Sequence, residues 1–251
     1  MTHSIRAHSD AGVFPTLPHA MCTRILHGSY TEVMSTSSGD VRVCFVGDSF
    51  VAGLGDSTGL GWVGRIANES HRRGLPLTTY NLGVRRDTSL LICERLPREV
   101  TPRLADADFP RIVVSYGVND TTVEDGHRRV SRVDSVAALR SISVASGVTE
   151  LMFIGPPAVD DDDQNERISD LSNALQNESI DLGISYLECF VSTVANTVWR
   201  RQVREGDGYH PDAAGYEQLA AIIQTPLLEW LRPEEFGQSR TLFTSSPVIV
   251  P

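Results

Sequence analysis

Two rhythms of apolar and polar residues alternate along this chain. Short unbroken apolar runs mark strands buried on both faces, and apolar residues three and four apart mark helices. The first run, residues 41–46, is apolar except at Arg42 and stops at Gly47-Asp48-Ser49. A glycine-rich loop fills 50–61, and residues 62–73 have helical spacing up to Gly74, a C-terminal capping glycine. A second strand spans 77–82 and ends at Gly83. Asp87-Thr88-Ser89 has the composition of a helix N-cap and opens a helix over 89–104, which Pro97 and Pro102 threaten to interrupt. A third strand, 111–116, ends at Gly117-Val118-Asn119-Asp120. A helix over 130–145 is closed by Gly147, a strand over 149–154 ends at Gly155-Pro156-Pro157, and a long helix over 160–182 is closed by Gly183. A short strand over 184–187, a helix over 192–204, a loop over 205–211 and a last helix over 212–231 complete the pattern.

Strands separated by helical segments predict an α/β domain, a parallel sheet with helices on both faces. The rhythm runs without a linker or repeat, so one domain over 40–231 is expected. Residues 1–39 mix His, Pro, Ser and Thr without period and read as a poorly ordered arm, with Met34 available as an alternative start of translation. Residues 232–251 read as an irregular tail.

Charge and composition narrow the partners. A net charge of −10 and a pI near 5.1 argue against nucleic acid or an anionic membrane, which want clustered Lys and Arg. No run approaches the ~18 apolar residues of a membrane span. The first ten residues lack the apolar core of a signal peptide, so a cytoplasmic location is expected. Cys22, Cys44, Cys93 and Cys189 form no C-x-x-C pair and fit no zinc spacing, and read as free thiols.

Ligands of such sheets bind at the carboxyl ends of the strands. Four segments there carry chemistry. Gly47-Asp48-Ser49 delivers a serine at a sharp turn, where N–H groups can meet a developing oxyanion. Asn81-Leu82-Gly83 offers a backbone N–H with no side chain in the way. In Gly117-Val118-Asn119-Asp120, an Asn amide can donate to the same oxyanion. In Asp207-Gly208-Tyr209-His210, a carboxylate three residues from an imidazole can fix its tautomer and free the other nitrogen to take a serine proton. Each segment alone is an ordinary turn or cap. Together they supply a nucleophile, a base with its orienter, and oxyanion donors.

These four blocks, in this order, resemble those of the SGNH hydrolases, the GDSL-type esterases and lipases. Gly47-Asp48-Ser49 matches the nucleophile block, Gly83 the glycine block, Gly117-x-Asn119-Asp120 the third and Asp207-x-x-His210 the fourth. One departure is Phe50, where the family has leucine. The resemblance implies a flavodoxin-like three-layer α/β/α sandwich with a five-stranded parallel sheet. It also implies metal-free, cofactor-free hydrolysis of small-molecule esters. Ser49 would be the nucleophile, His210 the base and Asp207 its orienter. The N–H groups of Ser49 and Gly83 and the amide of Asn119 would form the oxyanion hole. Short acyl or acetyl esters are the expected substrates, and a non-catalytic binding domain of the same fold is the alternative. An α/β-hydrolase elbow is disfavoured, because Val51 stands where Gly-x-Ser-x-Gly needs glycine.

Other residues tempt further readings. Asp48, Phe50, Arg85, Tyr116 and Tyr209 flank the blocks and are candidate substrate contacts, against solvated charge for Arg85 and core packing for the tyrosines. Trp62 has the same two readings, and Arg86 is weighed like Arg85. The glycines between 53 and 61 lack the ending of a phosphate-binding loop. Asp160 to Asp163 precede a helix and read as its cap rather than as a metal site. Gln164, Asn165 and Arg167 have a spacing that allows them to face the site.

Overall fold

The computed structural model describes residues 39–233. Almost all of the expected arm and tail, with Cys22, Met34 and the first four histidines, lies outside the described residues. In chain order, the first elements are β1 (Val41–Gly47), α1 (Ser49–Ala52), α2 (Gly61–Arg72), β2 (Thr78–Gly83), α3 (Ser89–Leu104) and β3 (Phe109–Ser115). Then come α4 (Val118–Thr121), β4 (Val123–Glu124), β5 (His127–Arg128), α5 (Arg132–Ser146) and β6 (Glu150–Ile154). The last are α6 (Asp162–Leu182), β7 (Ser185–Leu187), α7 (Phe190–Ala195), α8 (Thr197–Glu205) and α9 (Ala213–Leu231).

Five parallel strands form one sheet in the order β2-β1-β3-β6-β7, the flavodoxin-like arrangement. From β1 the chain steps to one side for β2 and to the other for β3. The crevice this reversal opens lies beyond the carboxyl ends of β1 and β3, where Gly47 pairs with Ser115. Ser49 and Asn119 follow these two strands directly.

Each face of the sheet is covered, which is why the strands read as continuous apolar runs. Val41, Val43 and Phe45 pack into one core with Trp62 and Ile66 of α2, Trp199 of α8 and Ile223 of α9. Cys44 and Val46 face a second core with Ile92 and Leu96 of α3, Leu139 of α5 and Leu175 of α6. Large apolar side chains buried this completely stabilise the fold by ~1.5–3 kcal/mol each.

The structure refines the sequence expectation at four points. Pro97 and Pro102 sit inside α3 without ending it. The helix expected over 192–204 is two helices, α7 and α8. Asn196 divides them, its Oδ1 accepting from the N–H groups of Val198 and Trp199 at 3.0 and 2.9 Å. The four-residue helices α1 and α4 and the hairpin β4–β5 had no period long enough to read. At the start of α6, Asp161 is the cap, accepting from Gln164 N at 2.7 Å, while Asp160 pairs with Arg204 at 3.2 Å. Cys44, Cys93 and Cys189 are free thiols.

Candidate active site

β1 ends where only glycine fits. A Cβ on Gly47 would lie 2.3 Å from the Ser115 carbonyl oxygen and 2.4 Å from Val51 Cγ2. Asp48 then caps α1, its Oδ1 accepting from Phe50 N at 2.9 Å, and Ser49 is the first helical residue. First-turn N–H groups have no partner inside a helix, and the Ser49 N–H makes no hydrogen bond among the described residues.

The opposite side of the crevice comes from the loop before α9. Asp207 Oδ1 accepts from the N–H groups of Tyr209 and His210 at 2.9 and 2.8 Å, which folds the loop into a tight turn. Its Oδ2 lies 2.8 Å from His210 Nδ1, and His210 Nε2 lies 2.7 Å from Ser49 Oγ. With the Nδ1 proton directed at the carboxylate, Nε2 is left to accept from the serine hydroxyl. Partial burial raises the Asp207 pKa, but the His210 N–H, the His210 ring and the Tyr209 N–H outweigh it and hold the carboxyl below its ordinary range. The ring of Phe50 lies 4.8 Å from that of His210 and stacks on Trp199 at 6.2 Å, so Phe50 underpins the imidazole.

Asn119 sits in α4, which begins after Gly117 at φ 135°. Its Nδ2 donates to Asp87 O at 2.9 Å and to Asp48 Oδ2 at 3.3 Å. α4 is braced from behind. Asp120 accepts from Ser89 N at 2.8 Å and from Ser135 Oγ at 2.6 Å, Gln164 Nε2 donates to Val118 O at 2.9 Å, and Arg167 Nε donates to Thr121 O at 3.0 Å. Gln164 and Arg167 therefore support the Asn119 segment rather than face the site. Asn165 instead holds Val159, accepting from its N–H and donating to its carbonyl.

Ser49, Phe50, Asn119, Asp207, Tyr209 and His210 line a single hollow of about 300 Å³, together with Arg85 and Arg86. A second hollow adjoins it and shares Arg85, Asp207 and His210. Three sequence assignments are corrected. Gly83 does not line either hollow, and its N–H is already donated to Asn81 Oδ1 at 3.0 Å. A Cβ there would lie 2.1 Å from Ala52 N, so the glycine serves the close approach of β2 to α1. Tyr116 is buried in the second core, edge-on to Phe153 at 4.8 Å, with its hydroxyl donating to Ser135 O at 2.9 Å. Asp48 is buried and committed to Phe50 N and Asn119, so it positions the site rather than contacting substrate. Trp62 likewise packs in the core, edge-on to Phe45.

The residue the sequence reading underweighted is Arg86. It lines the hollow, adopts the left-handed conformation at φ 69°, and its N–H makes no hydrogen bond among the described residues. Its side chain reaches Glu124 of β4 at 3.0 Å, and Arg129 donates to its carbonyl at 3.0 Å, so the hairpin walls this side of the hollow.

The sequence profile of the GDSL-like Lipase/Acylhydrolase family matches residues 45–218, more than half of the chain and every segment of this site. The chain belongs to that family. It is thereby a carboxylic ester hydrolase, and it is similar to several solved structures. The lipase/acylhydrolase from Enterococcus faecalis superposes with a TM-score of 0.65 at 22% identity, over 77% of this chain and 98% of that one. TesA gives 0.61 at 20% identity, over 76% and 99%. Axe2, an acetylxylan esterase from Geobacillus stearothermophilus, gives 0.61 at 17% identity, over 79% and 97%. At these identities the likeness speaks for the GDSL-like fold alone. No curated protein sequence matches the chain.

Proposed function

We propose that this GDSL-like hydrolase is a serine esterase that cleaves small esters with short acyl groups, acetyl esters foremost, through an acyl-enzyme. The observation that carries the reading is the unbroken chain Asp207–His210–Ser49, with contacts of 2.8 and 2.7 Å. Ser49 Oγ attacks the acyl carbon as His210 Nε2 takes the hydroxyl proton. Asp207 orients the ring and stabilises the imidazolium. The tetrahedral oxyanion receives the Ser49 N–H, the Asn119 amide and, in place of the expected Gly83, the N–H of Arg86. Collapse breaks the bond to the alcohol oxygen, which takes the proton from Nε2. Water, deprotonated by the same nitrogen, then attacks the acyl-serine; the bond to Ser49 Oγ breaks, Oγ takes the proton back from Nε2, and the acid leaves.

Asn119 already donates to Asp48 at 3.3 Å and to Asp87 O at 2.9 Å, and the longer bond is the one it exchanges for an oxyanion. The small hollow and its polar rim favour short acyl groups. The names of the lipase/acylhydrolase and the acetylxylan esterase among the structural neighbours support the same class.

Hydrolysis of p-nitrophenyl acetate tests the reading. Ser49→Ala and His210→Ala should each lower kcat by about 10⁴- to 10⁶-fold while circular dichroism and Tm stay at wild-type values. Undiminished turnover in either variant removes the assignment. Asn119→Ala should cost about 10²- to 10³-fold, mainly in kcat, because its bond strengthens only as charge develops.

A further inference from the structure

The carboxylates around the hollow are all engaged. Asp207 is held by His210 at 2.8 Å, Asp87 by Arg95 at 2.6 Å, and Glu124 is shared by Arg86 at 3.0 Å and Arg129 at 3.8 Å. Three guanidiniums therefore line the nucleophile's hollow against one carboxylate outside the catalytic set, in a chain whose net charge is −10. The third, Arg85, makes no ion pair or hydrogen bond among the described residues. Glu205, which shares the second hollow with it, does not pair with it.

The Arg85 side chain is exposed, but the loop that carries it does not wander. It occupies the corner of a turn closed by Asp87 N donating to Val84 O at 3.2 Å. Before it, Val84 N donates to Gly47 O at 2.9 Å, which ties the turn to the strand that delivers Ser49. After it, Arg129 donates to the Arg86 carbonyl at 3.0 Å. The backbone is thus pinned on both sides, and Arg85 lines both hollows where they meet beside His210. A guanidinium is a planar fork that matches a carboxylate or a phosphate in two parallel hydrogen bonds.

We infer that the ester taken by this site carries a negatively charged group, a carboxylate or a phosphate, held by the Arg85 guanidinium at the junction of the two hollows. The inference deepens the esterase reading and rests on it for the identity of the ligand as substrate. It makes Arg85 a specificity residue: Arg85 selects among esters, and Ser49 and His210 cleave them.

Binding tests this apart from turnover. Ser49→Ala protein is titrated by calorimetry with 4-acetoxybenzoate, with 4-acetoxyphenyl phosphate and with the neutral methyl 4-acetoxybenzoate. At least one anion should bind about tenfold or more tightly than the neutral ester. That preference should fall to about unity in Ser49→Ala/Arg85→Ala, persist in part with Arg85→Lys, and weaken as salt is raised. The anion that shows it identifies the group. Equal affinity for all three esters, or a preference that survives Arg85→Ala with the fold intact, overturns the inference. Failure of the esterase reading would show differently, as ester cleavage that continues in Ser49→Ala.

Discussion

Burial pushes the Asp48 carboxyl up to about 7, with the nearby charges of Asp120 and Asp87 adding to the rise and the Phe50 N–H opposing it. An acid whose pKa is raised on folding binds more protons folded than unfolded. Its contribution to stability is therefore full below the unfolded value, about 3.9, and is lost as pH rises through about 7. Asp48→Asn removes this dependence. Between pH 4 and 8, denaturant unfolding should show wild type losing stability relative to the variant, by on the order of 4 kcal/mol at full shift. Parallel pH profiles for the two proteins would mean that the carboxylate ionises in place without cost. At this scale the sequence was most informative where chemistry is local. Asp207 and His210 lie three residues apart and bond within one turn. It misled at Tyr116, although the period-two rule held the answer: Ile112, Val114 and Tyr116 fall on one face and all enter the second core. It also misled at Gly83, because a glycine beside a nucleophile suggests an offered N–H as readily as a tight approach.

Elements explain why that glycine matters all the same. β2 and the one-turn helix α1 approach until a Cβ at position 83 would lie 2.1 Å from Ala52 N and 2.8 Å from Asp48 O, both backbone atoms that no rotamer change can move. Gly83→Ala should therefore destabilise by about 1–3 kcal/mol or more and shift α1, lowering Tm and turnover together. Substitution of Gly59 meets no atom within 4 Å of the new Cβ and carries only the strain of its left-handed backbone, so Gly59→Ala is the control for an ordinary turn glycine. The long elements were legible because three or more turns, or a full strand, establish a period. α1, α4 and the hairpin β4–β5 were not, because two to four residues establish none. They carry much of the site: Ser49, Asn119 and Glu124 sit on them. Arg86 escaped for a related reason, since its left-handed φ is a conformation sequence readings reserve for glycine.

Across the whole molecule, His210 rests on a column of rings that leads into the first core. His210 lies on Phe50, Phe50 on Trp199, and Trp199 meets Tyr216 edge-on at 6.3 Å. Trp199 is fully buried and its Nε1 donates to Ala158 O at 2.8 Å. Trp199→Ala should cost about 3–5 kcal/mol in chemical denaturation, from the cavity and from the orphaned carbonyl.

Ser49 stands near the beginning of the described domain and His210 near its end, 161 residues apart in sequence, with β1 at the centre of the sheet and α9 sealing its first face. During translation, Ser49 emerges from the ribosome long before His210. A nascent chain, or a product released early by a premature stop codon, holds a serine with nothing to deprotonate it. On the proposed mechanism, ester cleavage thus begins only once synthesis has passed His210 and the closing helix has docked, so incomplete copies would be chemically silent.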